Sequence, residues 1–457
     1  MTEATFETHA RRAWPSLTEN KPLRFAVVMI LYFMQGVPIG LSLVVLPSWF
    51  AAAGAGPAEI GAFVAFALLP WSLKPFTGLI MDRFTYRPMG RRRVWILLAQ
   101  VCMVAVLAAL AIAAPTVDQI ALFGSFCFAL NLCAIFNDVA VDGMTIDLVP
   151  ADERGAINGC MYGSQIVGVS ITSFAAGAVL SSHGIAVAAS LLAVLVMLPS
   201  TAVSLFRERP GERLMPWTCG RPSAECEALQ QDAWRPILSE VFRSVADRKV
   251  IVFLAAFALS SATGALTDTI APTATVQILG WSSERYSHFA GSVTLVAGVL
   301  GITLTGLLIK SFGLARLVTM VGVLLVVLAL AGGITRDNWV DSGVLPVILA
   351  AQLIGMTILS ILLIAWAMLL CRPAVAASQF ALMMAVSNFA RSGMSGAWGQ
   401  LTESHGYAAV FYAVAVLTSG MVLLCLYARS RISEQQKDLQ RADRDNERAA
   451  TTRLPVA

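Results

Sequence analysis

The sequence predicts an all-α membrane protein whose twelve transmembrane helices form two pseudo-symmetric six-helix bundles. Three observations lead there. Of 457 residues, 57% are hydrophobic and 13% charged, too little polar surface to cover a water-soluble globule. Apolar runs long enough to cross a hydrocarbon core recur from Phe25 to Tyr427 with short polar breaks. Short peptides of the first half return in the second at nearly equal offsets: Gly78-Leu79-Ile80-Met81-Asp82 as Gly306-Leu307-Leu308-Ile309-Lys310, and Ser182-His183-Gly184 as Ser404-His405-Gly406.

The spans are expected at 25–51, 58–81, 93–114, 118–142, 156–181, 185–206, 250–278, 285–309, 314–334, 343–369, 375–401 and 407–428. Each is read as a helix, because irregular backbone facing lipid would leave amides unpaired. The first run follows a tail with Arg11, Arg12, Lys21 and Arg24, exceeds a signal-peptide core and leads into a second run, so it is expected to be retained. When loops alternate between sides, all of the 32 Lys and Arg fall on the side of the N-terminus except Arg285 and Arg336 opposite and Lys74 and Arg391 within helices. Both termini are therefore expected in the cytoplasm, and the protein in the bacterial inner membrane.

The longest internal polar stretch divides the helices six and six. The expected organisation is a cytoplasmic tail over 1–24, a first bundle over 25–206, a linker over 207–249, a second bundle over 250–428 and a charged cytoplasmic tail over 429–457. Within the linker, Ile237, Leu238, Val241, Phe242 and Val245 recur at helical spacing, which predicts an amphipathic helix on the inner leaflet from Trp234 to Val250. The final tail is charged and poor in aromatics, so it is not expected to fold alone.

Composition excludes several chemistries. Cys219 and Cys226 share a polar loop without a histidine or a second close cysteine pair, so no metal is expected. The formal net charge of +4 sits in loops beside membrane helices, where anionic lipid and topology account for it without nucleic acid. No phosphate-binding Gly-x4-Gly-Lys-Ser/Thr loop occurs, which argues against an ATP-driven pump and predicts no cofactor. The four histidines, His9, His183, His288 and His405, form no His-Glu-x-x-His pattern, so an intramembrane enzyme is poorly supported.

Charge inside membrane spans is costly and marks function or a partner. Asp138 and Asp142, four apart on one helical face, suit either a proton-carrying site or gate salt bridges, with Asp147 just beyond. Lys74, between Pro70 and Pro75, is a substrate or gate candidate, and its other reading is a side chain snorkelling to the interface. Arg391 has small neighbours that leave room for a carboxylate or phosphate, with an ion pair to Asp268 as the structural alternative. Gln35 and Asn131 add neutral hydrogen-bonding groups that line cavities or join helices.

Gly78-Leu79-Ile80-Met81-Asp82-Arg83 followed by Gly90-Arg91-Arg92-Arg93 resembles the loop signature between the second and third helices of the major facilitator superfamily, with Phe84 to Met89 inserted. That resemblance implies a cytoplasmic gate of Gly78, Asp82, Arg83, Gly90, Arg91, Arg92 and Asp147. A narrower similarity, to AmpG-type muropeptide permeases and related acetyl-CoA transporters, rests on four peptides. They are Leu31-Tyr32-Phe33-Met34-Gln35-Gly36-Val37-Pro38, Leu69-Pro70-Trp71-Ser72-Leu73-Lys74, Gly90-Arg91-Arg92-Arg93-Val94-Trp95 and Asn137-Asp138-Val139-Ala140-Val141-Asp142-Gly143. It implies a secondary transporter, monomeric by default, that moves a small solute by alternating access, with protons as partner. Where those permeases carry Tyr-Arg-Ile-Gly in the fifth helix, this chain has Ser164-Gln165-Ile166-Val167-Gly168, so fold and gate carry over and the substrate does not. Muropeptide, siderophore or another organic solute remain open, as do export and a sensor that keeps the fold without transport.

Overall fold

The structure, a computed structural model, describes residues 15–150, 153–228, 247–370 and 376–427. Twelve membrane-crossing helices are present among them. Helix α1 runs over Lys21–Ala52 and α2 is assembled from Pro57–Leu68, a tight 3-10 segment Leu69–Leu73, and Lys74–Arg83. Next come α3 (Arg93–Ala113) and α4 (Ile120–Leu148), then one continuous stretch, Arg154–Ser204, that Gly184 divides into α5 (154–183) and α6 (185–204). The second half comprises α7 (Arg248–Gln277), α8 (Ser283–Phe312), α9 (Leu314–Ile334), α10 (Val344–Leu370), α11 (Ala376–His405) and α12 (Tyr407–Tyr427). Nine described segments are apolar enough to cross a membrane by composition alone, one of which holds both α5 and α6. Among the others, α11 carries Asn388, Arg391, Ser392 and Ser395 and is the more polar for it.

Side-chain caps start several helices. Asn20 accepts from Leu23 N at 3.0 Å before α1, Asp247 from Lys249 N at 2.9 Å before α7, and Ser282 from Arg285 N at 3.1 Å before α8. The two Ser-His-Gly peptides occupy equivalent turns, α5 to α6 and α11 to α12. Gly184 and Gly406 take φ of 79° and 81°, a region costly for any residue with a Cβ. In each turn the serine hydroxyl meets the histidine Nδ1, at 2.7 and 2.8 Å.

One expected boundary changes the place of a site residue. Helix α4 continues six residues past Asp142, so Asp147 lies on the helix instead of beyond it. The extension is held by arginines: Arg91 reaches the Asp147 carboxylate and Arg209 its carbonyl. The amphipathic helix expected from Trp234 to Val250 lies outside the described residues except for 247–250, where α7 begins. The tail over 429–457 also lies outside them.

Packing shows where the halves meet. One apolar core runs through the first half and continues, at the end opposite the N-terminus, into Leu266, Ile270, Ala274, Trp339 and Phe411 of the second. Toward the N-terminal side the second half has a separate core, built from residues such as Phe253, Leu359, Trp366 and Met421. Outward faces are apolar: Ile112 is 86% exposed and Val416 69%, as lipid contact requires. Within the first half, α1 crosses α5 at Gly36 and Gly168, where a Cβ on Gly168 would lie 3.0 Å from Phe33 C and 3.2 Å from Gly36 Cα. Replacement of Gly168 by Ala is expected to lower the melting temperature of the detergent-purified protein, since overpacking costs roughly 1–3 kcal/mol. Gly159→Ala, with nothing within 4 Å of the added carbon, is expected to leave it unchanged or slightly raised.

Candidate functional site

Two charged constellations sit within the helices, one in each half. In the first, Lys74 Nζ lies 2.5 Å from Asp138 Oδ2 and 3.0 Å from Asp142 Oδ2, and the Tyr32 hydroxyl donates to Asp142 Oδ1. Lys74 therefore turns inward to carboxylates and does not snorkel. Its position follows from the break in α2. Pro75 has no N–H to give the Trp71 carbonyl and Pro70 none to give Phe66, so the helix tightens over Leu69–Leu73 and resumes at Lys74. With the lysine and both carboxylates ionised and the tyrosine neutral, the cluster carries one negative charge in excess.

In the second half, Arg391 donates from Nε to Asp268 Oδ2 at 2.6 Å and from Nη2 to Asp268 Oδ1 at 2.7 Å. The pair is asymmetric, with the Asp268 side chain 6% exposed and that of Arg391 39%. Both line a cavity of ≈ 300 Å³ between the halves, with Gln165 and Tyr162 on α5 and Asn388 on α11. The buried Tyr286 ring bounds it near the start of α8, while Phe257, Ile364 and Met384 extend its wall toward the N-terminal side.

The α2 break is also where the halves touch at mid-membrane. Leu69 N–H bonds back to Phe66 O in the tighter turn, which frees the carbonyl of Ala65; the missing proton of Pro75 frees that of Trp71. Both are taken by α11: Ser392 Oγ donates to Ala65 O at 2.5 Å and Asn388 Nδ2 to Trp71 O at 3.3 Å. These donors flank Arg391 in sequence. Further hydrogen bonds between halves gather at the end opposite the N-terminus: Ala58 N to Glu403 Oε1 at 3.0 Å, Gln277 Nε2 to Ala55 O at 2.7 Å, and Ser48 Oγ with Ser287 Oγ at 3.4 Å.

The neutral candidates have different placements. Gln35 is buried behind the cavity and accepts from Gln165 Nε2 at 3.0 Å. Asn131 lies away from the cavity and staples the α2 break, accepting from Trp71 Nε1 at 2.9 Å and donating to Ser42 Oγ at 3.0 Å.

At the N-terminal side, Arg91 Nη1 lies 3.3 Å from Asp147 Oδ2 and Arg92 Nε 3.7 Å from it. Gly143 leaves room for Arg92, whose Nε would lie 2.6 Å from a Cβ there. The centre of this assembly is a residue the sequence did not single out. Glu208, just after α6, is fully buried and accepts the amides of Arg91 and Arg92 at 2.9 Å each and of Arg93 at 2.6 Å, a carboxylate capping the start of α3. Gly90 supplies the turn before it with φ of 95°. Nothing in periodicity marks Glu208; a lone acidic residue next to Arg207 and Arg209 was the available signal. At Gly78 an added Cβ would meet Val139 Cγ1 at an ordinary 3.7 Å, so no close helix crossing depends on it in this conformation. The side chains of Asp82 and Arg83 lie outside those described. The contacts of Arg91, Arg92 and Asp147 given above stay within the first half and the start of the linker. Among the described residues no cluster of potential metal ligands occurs.

Similarity to known proteins agrees with this architecture. A family profile described as Major Facilitator Superfamily matches residues 28–395. The anhydromuropeptide permease of Escherichia coli strain K12 is 25% identical over 420 residues, which cover 88% of this chain and 79% of that one. A folate-biopterin transporter of Synechocystis is 29% identical over 192 residues, covering 40% of this chain and 36% of its own. Among solved structures, a POT family transporter in complex with 5-aminolevulinic acid superposes with a TM-score of 0.67 at 14% identity, covering 89% of this chain and 96% of that one. A D-xylose-proton symporter gives 0.65 at 15% identity, over 88% and 96%.

The linker assembly generates a pH prediction. Burial, and then the nearby Glu208, push the Glu212 carboxyl from 4.5 up to about 7, while Ser223 Oγ and the Arg209 amide bond to it. A carboxyl whose folded value is raised contributes stability below its unfolded value that is lost as pH rises through the folded one. Amide exchange over 207–228 is therefore expected to be slower at pH 6 than the intrinsic pH dependence predicts, relative to pH 8. Glu212→Gln is expected to flatten the difference.

Proposed function

Taking as premise that the chain belongs to the major facilitator superfamily, we propose that it is an AmpG-like, proton-coupled permease importing a small organic solute across the inner membrane by alternating access. The observation that carries this reading is the cavity between the halves, which places Arg391 and Asp268 at a junction closed on one end by shared core and interdomain hydrogen bonds. Secondary transporters of repeat architecture bind solute at such a junction near mid-membrane. Because Lys and Arg concentrate on the side of the N-terminus, both termini are assigned to the cytoplasm, and this conformation is the one facing inward.

Lys74, Asp138, Asp142 and Tyr32 are assigned the coupling role. One cation held by two carboxylates is neutral with one added proton and negative without it, so protonation changes how firmly α2 is tied to α4. Asp142 is the more accessible carboxylate, 33% exposed against 4% for Asp138, and is the expected entry point. Arg91, Arg92, Asp147 and Glu208 are assigned to holding the cytoplasmic end of the first half as one body. The relatives are an anhydromuropeptide permease and a folate-biopterin transporter, two solute chemistries, and the reading accordingly stops at an organic solute.

Uptake into proteoliposomes tests it, with anhydromuropeptides, siderophores, coenzyme A esters and small organic acids supplied with and without an inward proton gradient. Gradient-driven uptake of one class is expected, falling at least about tenfold in Asp142→Asn, the order of a lost coupling interaction. Uptake that ignores both gradient and substitution would remove the coupling assignment. No uptake of any class by folded protein would remove import and leave export or sensing.

A further inference from the structure

The site where a solute would dock carries more information than its location, because the two partners of its ion pair are unequally covered. We propose that the cavity binds a small monocarboxylate, received on the open edge of the Arg391 guanidinium; the inference rests on the cavity's being the transport site.

A guanidinium offers five N–H donors along two bidentate edges. Asp268 occupies one of them, through Nε and Nη2. The other edge, Nη1 with the second proton of Nη2, makes no hydrogen bond within the described residues, and the side chain is 39% exposed where Asp268 is only 6%. The open edge thus belongs to the cavity that Arg391 lines. Donors held at membrane depth without an acceptor are costly, so this edge is stabilised by water or by an anion whose two oxygens match its fork.

Three features narrow the anion. Arg391 is the one cation among the described residues of the lining, and Asp268 already balances its charge. A monoanion then leaves the site with one unit of negative charge and a phosphate monoester dianion with two, the costlier state at that depth. Next, the lining beside Arg391 is neutral and amphipathic: Tyr162, Gln165 and Asn388 offer hydrogen bonds, and Ile166, Phe257 and Met356 offer apolar surface. Finally, the cavity's ≈ 300 Å³ lies at the small end of ligand cavities, which suits a small organic solute.

The test is ligand-dependent thermal unfolding of the full-length protein in detergent. The probes are benzoate and hexanoate, their neutral counterparts benzamide and hexanamide, the cation benzylamine, and phenyl phosphate. Both acids are expected to raise the melting temperature saturably, with apparent affinity at least tenfold tighter than either amide and with no shift from benzylamine. The acid shift is expected to vanish in Arg391→Gln and to weaken in Arg391→Lys, which keeps the charge but loses the fork. Acids no better than amides, an acid shift that survives Arg391→Gln, or a preference for phenyl phosphate would each overturn the proposal. The comparison of acid with amide uses the unsubstituted protein and stands even where a variant does not fold. Binding needs no flux, so the two readings fail separately. Carboxylate binding without uptake counts against transport alone, and transport of a solute with no carboxylate preference counts against this inference alone.

Discussion

The cost of charge inside hydrocarbon organises this molecule. A charged side chain at that depth must be paired or must face water, and each half resolves the requirement differently. The first half wraps Lys74 with two carboxylates and Tyr32 between α1, α2 and α4, leaving a surplus of one negative charge. The second pairs Arg391 with one carboxylate and leaves part of the cation open to the cavity. A surplus of negative charge suits a proton, and an open cationic edge suits an anion. The two constellations are thus chemically complementary, and they are physically joined, since the break in α2 that presents Lys74 is hydrogen-bonded by the α11 residues on either side of Arg391.

That junction depends on backbone groups that a regular helix would consume. Pro70 and Pro75 release carbonyls in α2, and a released carbonyl in a membrane must find a donor. Asn388 and Ser392 provide donors from the other half, and Asn131 holds the Trp71 indole from within the first. A movement of α11 at Arg391 therefore bears on the Ala65 and Trp71 carbonyls of the α2 break. This is contiguous contact between two helices, a physical path along which coupling between sites can run.

Much of this was visible in sequence wherever one-dimensional physics decides. Hydropathy and length place the helices, and the two Ser-His-Gly peptides mark equivalent turns because only glycine takes that φ cheaply. The costly membrane charges could be named one by one. Asp268 could be named as the structural partner of Arg391, but the contacts of Lys74 and Glu208 could not, since Lys74 is separated from Asp142 by 68 positions and Glu208 from the Arg91 amide by 117, and no period relates them. Tyr32 stood inside a quoted peptide without a role because a tyrosine in a membrane helix is ordinarily apolar packing. The prolines of α2 announced a break, but only the fold decides that its freed carbonyls face α11.

The closed end joins the halves through shared apolar core and a few polar contacts. Its contacts across the halves are side chain to backbone or hydroxyl to hydroxyl: Glu403 to the Ala58 amide, Gln277 to the Ala55 carbonyl, Ser48 to Ser287. The neutral ones, from Gln277 and Ser48, each contribute about 0.5–1.5 kcal/mol net, because water replaces them when they break, and the Glu403 carboxylate makes a stronger, charge-assisted bond. By contrast, the Arg91, Arg92, Asp147 and Glu208 assembly concentrates charge-assisted bonds on a single half, where breaking them would leave buried charge unpaired. Buried charge thus holds one half together, while shared apolar surface and scattered hydrogen bonds hold the halves to each other at the opposite end.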